Sequence, residues 1–150
     1  MGVFEKVMQQ RQPVTEGVSF TPPYAFAAIV VGAFNADGRG APEEVRRANE
    51  IFSSTKLFKQ PDSEPVETVV QRVLQLFQTH GADAVATLAA NSLPEDLRLP
   101  VFTIAVDLVL ADGEASAEER TFIDNLQALL RISDADAAKI VDVIIIKNSV

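Results

Sequence analysis

The stretch Ala36-Asp37-Gly38-Arg39-Gly40-Ala41-Pro42-Glu43-Glu44 returns 75 residues later as Ala111-Asp112-Gly113-Glu114-Ala115-Ser116-Ala117-Glu118-Glu119, a shift of half the 150-residue chain. The same shift superimposes Ile29 on Ile104, Val31 on Val106 and Leu57 on Ile132, so the likeness reaches into the apolar segments on both sides. An Asp-Gly pair turns a chain readily, because Gly accepts positive φ and the Asp carboxylate bonds to nearby backbone N–H groups. Acidic residues just beyond the turn suit the first turn of a helix, where they face the positive end of its dipole. Each copy therefore reads as a corner between two helices. The whole chain, 1–150, reads as a single all-α domain of about seven or eight helices, built from two similar halves near residues 21–60 and 98–147.

Outward from the corners, spacing marks the helices. Thr21-Pro22-Pro23 is a helix start, with Thr21 as N-cap and Pro22 in the first turn, where a missing N–H costs nothing. Tyr24, Ala27, Ala28, Val31 and Phe34 recur at intervals of three and four, which predicts an amphipathic helix to about Asn35. Pro42 opens a second helix to about Ser53, with Val45, Ala48, Ile51 and Phe52 on its inner face. The polar run from Lys59 to Pro65 is the expected linker. A third helix follows, with an apolar stripe of Val66, Val69, Val70, Val73, Leu74 and Phe77 and a stop at His80-Gly81. Asp83 to Asn91 is a short alanine-rich helix. Leu93-Pro94 and Leu99-Pro100 are expected to punctuate the chain, so that the long helix of the second half restarts at Val101. Ser116 begins a helix to about Arg131 that buries Phe122, Ile123, Leu126, Leu129 and Leu130. The β-branched run from Ile140 to Ile146 favours strand by propensity. Ser133, Asp134 and Asp136 nevertheless form a helix N-terminus, and the last element is read as a helix.

Composition narrows the chemistry. With 47% hydrophobic residues the chain suits one compact domain that buries about two-thirds of its unfolded surface. Cysteine is absent, which removes disulfides, thiolate metal sites and a cysteine nucleophile. The single histidine, His80, precedes Gly81 at a helix end and is read as a capping residue; alone it excludes most zinc sites. No apolar run approaches the roughly 20 residues of a membrane span, and residues 1–12 do not resemble a signal peptide. A net charge of −8 disfavours nucleic acid and favours cations or basic protein surfaces. Arg46-Arg47 with Lys56 and Lys59 makes a small basic patch, a solvated face or a place for an acidic partner.

The repeated acids have a structural reading and a chemical one. Ser116-Ala117-Glu118-Glu119 matches a capping box, in which Ser116 accepts from the Glu119 N–H and the Glu119 carboxylate accepts from the Ser116 N–H. In the first copy Ala41 stands at the cap position, so Glu44 keeps its place without that partner. If the halves pack corner to corner, Asp37, Glu44, Asp112 and Glu119 form an oxygen-rich cluster suited to Mg²⁺, Ca²⁺ or Mn²⁺, with Glu43 and Glu118 as additional ligands. The calcium loop of an EF-hand is excluded by spacing, since the alternating oxygen ligands after Asp37 and Asp112 are missing. A di-iron bundle needs Glu-x-x-His twice. Gly38-Arg39-Gly40 lacks the Lys-Ser/Thr of a phosphate loop, and no Gly-x-Ser-x-Gly occurs. No catalytic constellation is present, and the expectation is a non-enzymatic protein. The alternative is an interaction domain whose motif acids only cap helices. A hydrolase using paired carboxylates ranks third.

An apolar helix ending in Ala-Asp-Gly, then Glu-Glu and a second amphipathic helix, present twice, resembles the tellurite-resistance TerB family over Tyr24 to Phe58 and Val101 to Ile146. The resemblance implies a cytoplasmic all-helical domain of two similar halves, linked to tellurite or other stress responses. It implies protein partners, among them membrane-associated complexes. It also implies a divalent-metal site at the motif acids, carried here by Asp37, Glu44, Asp112 and Glu119. The sequence departs from the pattern at Ala41-Pro42, where a Ser-like cap is expected.

Overall fold

The computed structural model describes residues 20–35, 42–111 and 114–150, the side chains of residues 35 and 42–45 excepted. Among them are seven α-helices and no strand: α1 (Pro22–Asn35), α2 (Pro42–Ser54), α3 (Val66–His80), α4 (Ala82–Ser92), α5 (Glu95–Val109), α6 (Ala117–Leu129) and α7 (Asp134–Lys147). A short 3-10 turn, Lys56–Phe58, follows α2. The β-branched run near the C-terminal end is helical, started by Ser133, whose side chain accepts from the Asp136 N–H.

The arrangement is set by α1. Every residue from Tyr24 to Val31 is at most 5% exposed, so this helix is covered on all sides and not amphipathic as its spacing suggested. The reason lies in its composition: between Tyr24 and Phe34 there is no charged or amide side chain, and a helix apolar all round is stable only inside. α3, α4 and α5 pack around it, and α2 and α6 complete the cover. α4 presents Val85, Ala89 and Ala90 inward, small residues that let two backbones approach closely.

Phe52 joins α2 to this centre. Its ring meets Phe26 edge-on at 5.6 Å and Phe58 at 5.3 Å, so one aromatic trio ties α2 and the 3-10 turn to α1. Aromatic pairs in such geometries contribute about 0.5–1.5 kcal/mol beyond the area they bury.

α5 begins at Glu95 and runs through Pro100 without a break, contrary to the expected restart at Val101. Pro100 is the sixth residue of the helix, so its missing N–H leaves only the Asp96 carbonyl without its helical partner, on an exposed stretch near the helix start. Buried Val101, Phe102, Ala105, Val106 and Val109 hold the helix beyond it. In α3, Val69, Val73 and Leu76 face the core, whereas Leu74 is 38% exposed, because only one side of α3 meets α1 and α4. Gly81 alone joins α3 to α4, with φ 86° and ψ 160°. That conformation is open almost exclusively to glycine, so the stop expected at His80-Gly81 has a backbone cause.

The ends of α2 and α6 correspond under the 75-residue shift, Pro42 to Ala117 and Ser54 to Leu129. Buried Phe26, Ala27, Val30 and Val31 of α1 likewise map onto buried Val101, Phe102, Ala105 and Val106 of α5.

Phe52 is fully buried, and its replacement by alanine leaves a cavity between three elements. Phe52→Ala is expected to lower the unfolding free energy by about 3–5 kcal/mol, read in urea titration as a lower midpoint at unchanged slope.

Candidate metal centre

The approach to the first corner is fixed by an absent side chain. A Cβ on Gly32, near the end of α1, would lie 3.1 Å from Phe122 Cε2 of α6 and 3.6 Å from Phe77 Cζ of α3. Glycine therefore lets the Phe122 ring rest against the backbone of α1. α1 leads into Ala36-Asp37-Gly38, and α6 starts at Ala117, directly after the second corner. The helix end that enters one corner thus packs beside the helix start that leaves the other. A cleft of about 740 Å³ borders this contact, with Gly32, Phe77, Ala86, Phe122 and Leu129 among its apolar lining and Glu118 among its polar groups. A second cleft of about 600 Å³ lies beside the other corner, lined in part by Leu110, Glu114, Arg120 and Asp124.

The second corner is built as its sequence predicts. Ser116 Oγ accepts from the Glu119 N–H at 3.1 Å, and Glu119 Oε1 accepts from the Ser116 N–H at 2.9 Å, completing the capping box. The two bonds satisfy N–H groups that a helix start otherwise leaves free. One carboxylate oxygen of Glu119 is thereby engaged, while Glu118 beside it is exposed. The chain entering this corner is held by the end of α7: its C-cap Asn148 donates from Nδ2 to the Leu110 carbonyl at 3.2 Å, and Lys147 pairs with Asp107 at 2.9 Å.

Of the acids singled out by sequence, Glu118 and Glu119 are placed at the start of α6. Asp37 and Asp112 lie outside the described residues, as do the side chains of Glu43 and Glu44. Among the described residues no three His, Cys, Asp or Glu side chains are grouped closely enough to hold a metal ion. The chemistry of the sequence-predicted set is nonetheless coherent, since carboxylate oxygens are the ligands that Mg²⁺, Ca²⁺ and Mn²⁺ prefer.

Sequence reasoning did not find a polar cluster at the opposite end of α1. The Tyr24 hydroxyl donates to Glu64 Oε2 at 2.6 Å, and Arg72 Nη1 donates both to the Tyr24 oxygen at 2.8 Å and to Glu64 Oε2 at 2.9 Å. The ring is buried while the hydroxyl reaches two exposed side chains, so the segment before α3 is tied to both α1 and α3. Burial and then the bond to Glu64 push the Tyr24 hydroxyl above the ordinary tyrosine value. The Tyr24 bond raises Arg72 as well. No spacing signal links Tyr24 to partners 40 and 48 residues away.

Fold and second corner together define a helical, acidic module with Glu118 and Glu119 at a capped helix start. The tellurite resistance protein TerB family matches residues 24–142, and the chain belongs to that family. No curated protein and no solved structure matches it.

Ser116→Ala removes the side-chain acceptor of the capping box and is expected to destabilise the fold by about 1 kcal/mol, measurable as a fall in Tm. A second expectation concerns alkaline pH. Because the folded pKa of Tyr24 is raised, the unfolded chain loses this proton first, so stability is complete below about pH 10 and declines as pH rises through the folded value. Chemical denaturation across that range is expected to show the decline in the wild type and a shallower one in Tyr24→Phe.

Proposed function

We propose that this chain is a non-enzymatic TerB-family module that binds a divalent cation, Mg²⁺, Ca²⁺ or Mn²⁺, with Asp37, Glu44, Asp112 and Glu119, assisted by Glu43 and Glu118. The loaded surface engages protein partners, including a membrane-associated complex, in a cytoplasmic stress response such as tellurite resistance. The observation that carries the reading is the contact of Gly32 with Phe122, which packs the helix entering the first corner against the helix leaving the second. A chain with net charge −8 gains from a cation wherever carboxylates converge, because like charges brought together without one repel each other.

Membership of the family supports the reading. The capping box favours the alternative, an interaction domain in which these acids only start helices, because it engages Glu119 without any ion. Calorimetric titration separates them. Wild type is expected to bind at least one of Mg²⁺, Ca²⁺ and Mn²⁺, and Asp37→Asn/Asp112→Asn to lose that binding. Glu119→Gln adds a finer test, because glutamine also completes a capping box but carries no charge. Its Tm is expected to stay near wild type while cation affinity falls. Binding unaffected by the double substitution would remove the site, and a wild type that binds none of the three ions leaves the acids as helix caps.

A further inference from the structure

α7 has two unlike faces. Ala137 and Ile144 are buried and Ile140 and Val141 half-buried where the helix packs on α5. The other side is open. On it Ile146 is 70%, Val143 60% and Ile145 50% exposed. Isolated apolar residues at a surface are ordinary; here Val143 and Ile146, three apart, adjoin each other, and Ile145 lies on the other flank of the same side. Lys139 and Asp142 share this face and are exposed. Among the described residues neither belongs to an ion pair, whereas neighbouring Lys147 is held by Asp107.

The order of residues along the open face identifies what fits it. Ala135, Lys139, Asp142 and Ile146 follow at intervals of four, three and four, so they lie in one row along the open face. Read from either end the row is complementary to itself: small, basic, acidic, large. Two copies laid antiparallel about a two-fold axis between Ile140 and Val141 set Lys139 against the partner's Asp142, twice over. The same axis sets Ile146 over the partner's Ala135, whose single methyl leaves room for it. Val143 and Ile145 flank the seam on its two sides and shield the ion pairs from water. A parallel arrangement in register would instead oppose Lys139 to Lys139 and Asp142 to Asp142. Charge thus selects the antiparallel pair, as polar seam positions do in coiled coils.

From this we infer that the open face of α7 is a self-association surface whose partner is a second copy of this chain, forming a closed two-fold dimer. A single helix of 14 residues, about 21 Å long, covers less than the roughly 800 Å² per partner of a standard stable interface. The dimer is therefore weak and concentration-dependent.

Sedimentation velocity on the full chain, in chelator so that no cation bridges two acidic molecules, tests this. The wild type is expected to shift from monomer to dimer as concentration rises, and Ile146→Lys to remain monomeric. Lys139→Glu places like charges at the centre of the seam and is expected to weaken association at least about tenfold. Lys139→Glu/Asp142→Lys restores the complementarity and is expected to regain most of the affinity. All three substituted residues are exposed, so thermal unfolding followed by circular dichroism stays near wild type. A wild type that is monomeric throughout overturns the inference. So does a dimer indifferent to Lys139→Glu, or a double variant no tighter than the single one.

Discussion

Between Tyr24 and Phe34 the only hydrogen-bonding group on any side chain is the Tyr24 hydroxyl, and water gains nothing by touching α1 on any side. Eight consecutive residues at or below 5% exposure are the result. Each fully buried Val, Ile or Phe contributes about 1.5–3 kcal/mol relative to exposure, and a helix can collect this around its whole circumference only if other helices surround it. α3, α4 and α5 do so directly. The ends of α1 follow from the same burial. At one, the hydroxyl emerges to meet Glu64 and Arg72; at the other, Gly32 admits the ring of Phe122.

The second corner shows what an acidic residue does at a helix start. A carboxylate in the first turn of a helix relieves free N–H groups and faces the positive end of the dipole. Glu119 does so with one oxygen, through the Ser116 N–H. The same position is suited to a cation ligand, because its direction is fixed by the backbone and because one oxygen stays free of the capping bond. Glu118, exposed beside it, takes no part in the capping box. The first corner, with Ala41 in place of Ser116, begins its helix without a side-chain acceptor at that position.

Legibility in the sequence followed the range of the interaction. Helix starts at Pro22, Pro42 and Val66, the glycine joint at Gly81 and the Ser116 and Ser133 caps depend on neighbours within four residues, and they were readable. The misreadings depended on distant partners. Spacing suggested a stripe on α1, but several helices meet it, so no side of it is left for water. Leu99-Pro100 looked like a break, but the buried side of α5 carries the helix across it. Leu74 matched the stripe of α3 and still faces outward, since α1 and α4 cover only part of that helix.

By itself the sequence determined the helical class, the repeat of Asp-Gly with its trailing acids, the capping boundaries and the family resemblance, because each rests on local backbone chemistry or on a repeat visible at fixed shift. Tertiary structure alone decided that α1 is central, that Phe122 packs against Gly32, that Tyr24 gathers Glu64 and Arg72, and that Val143, Ile145 and Ile146 of α7 are exposed. Those outcomes belong to packing. Burial is set by which helices arrive on each side, and no periodicity within one helix specifies its neighbours.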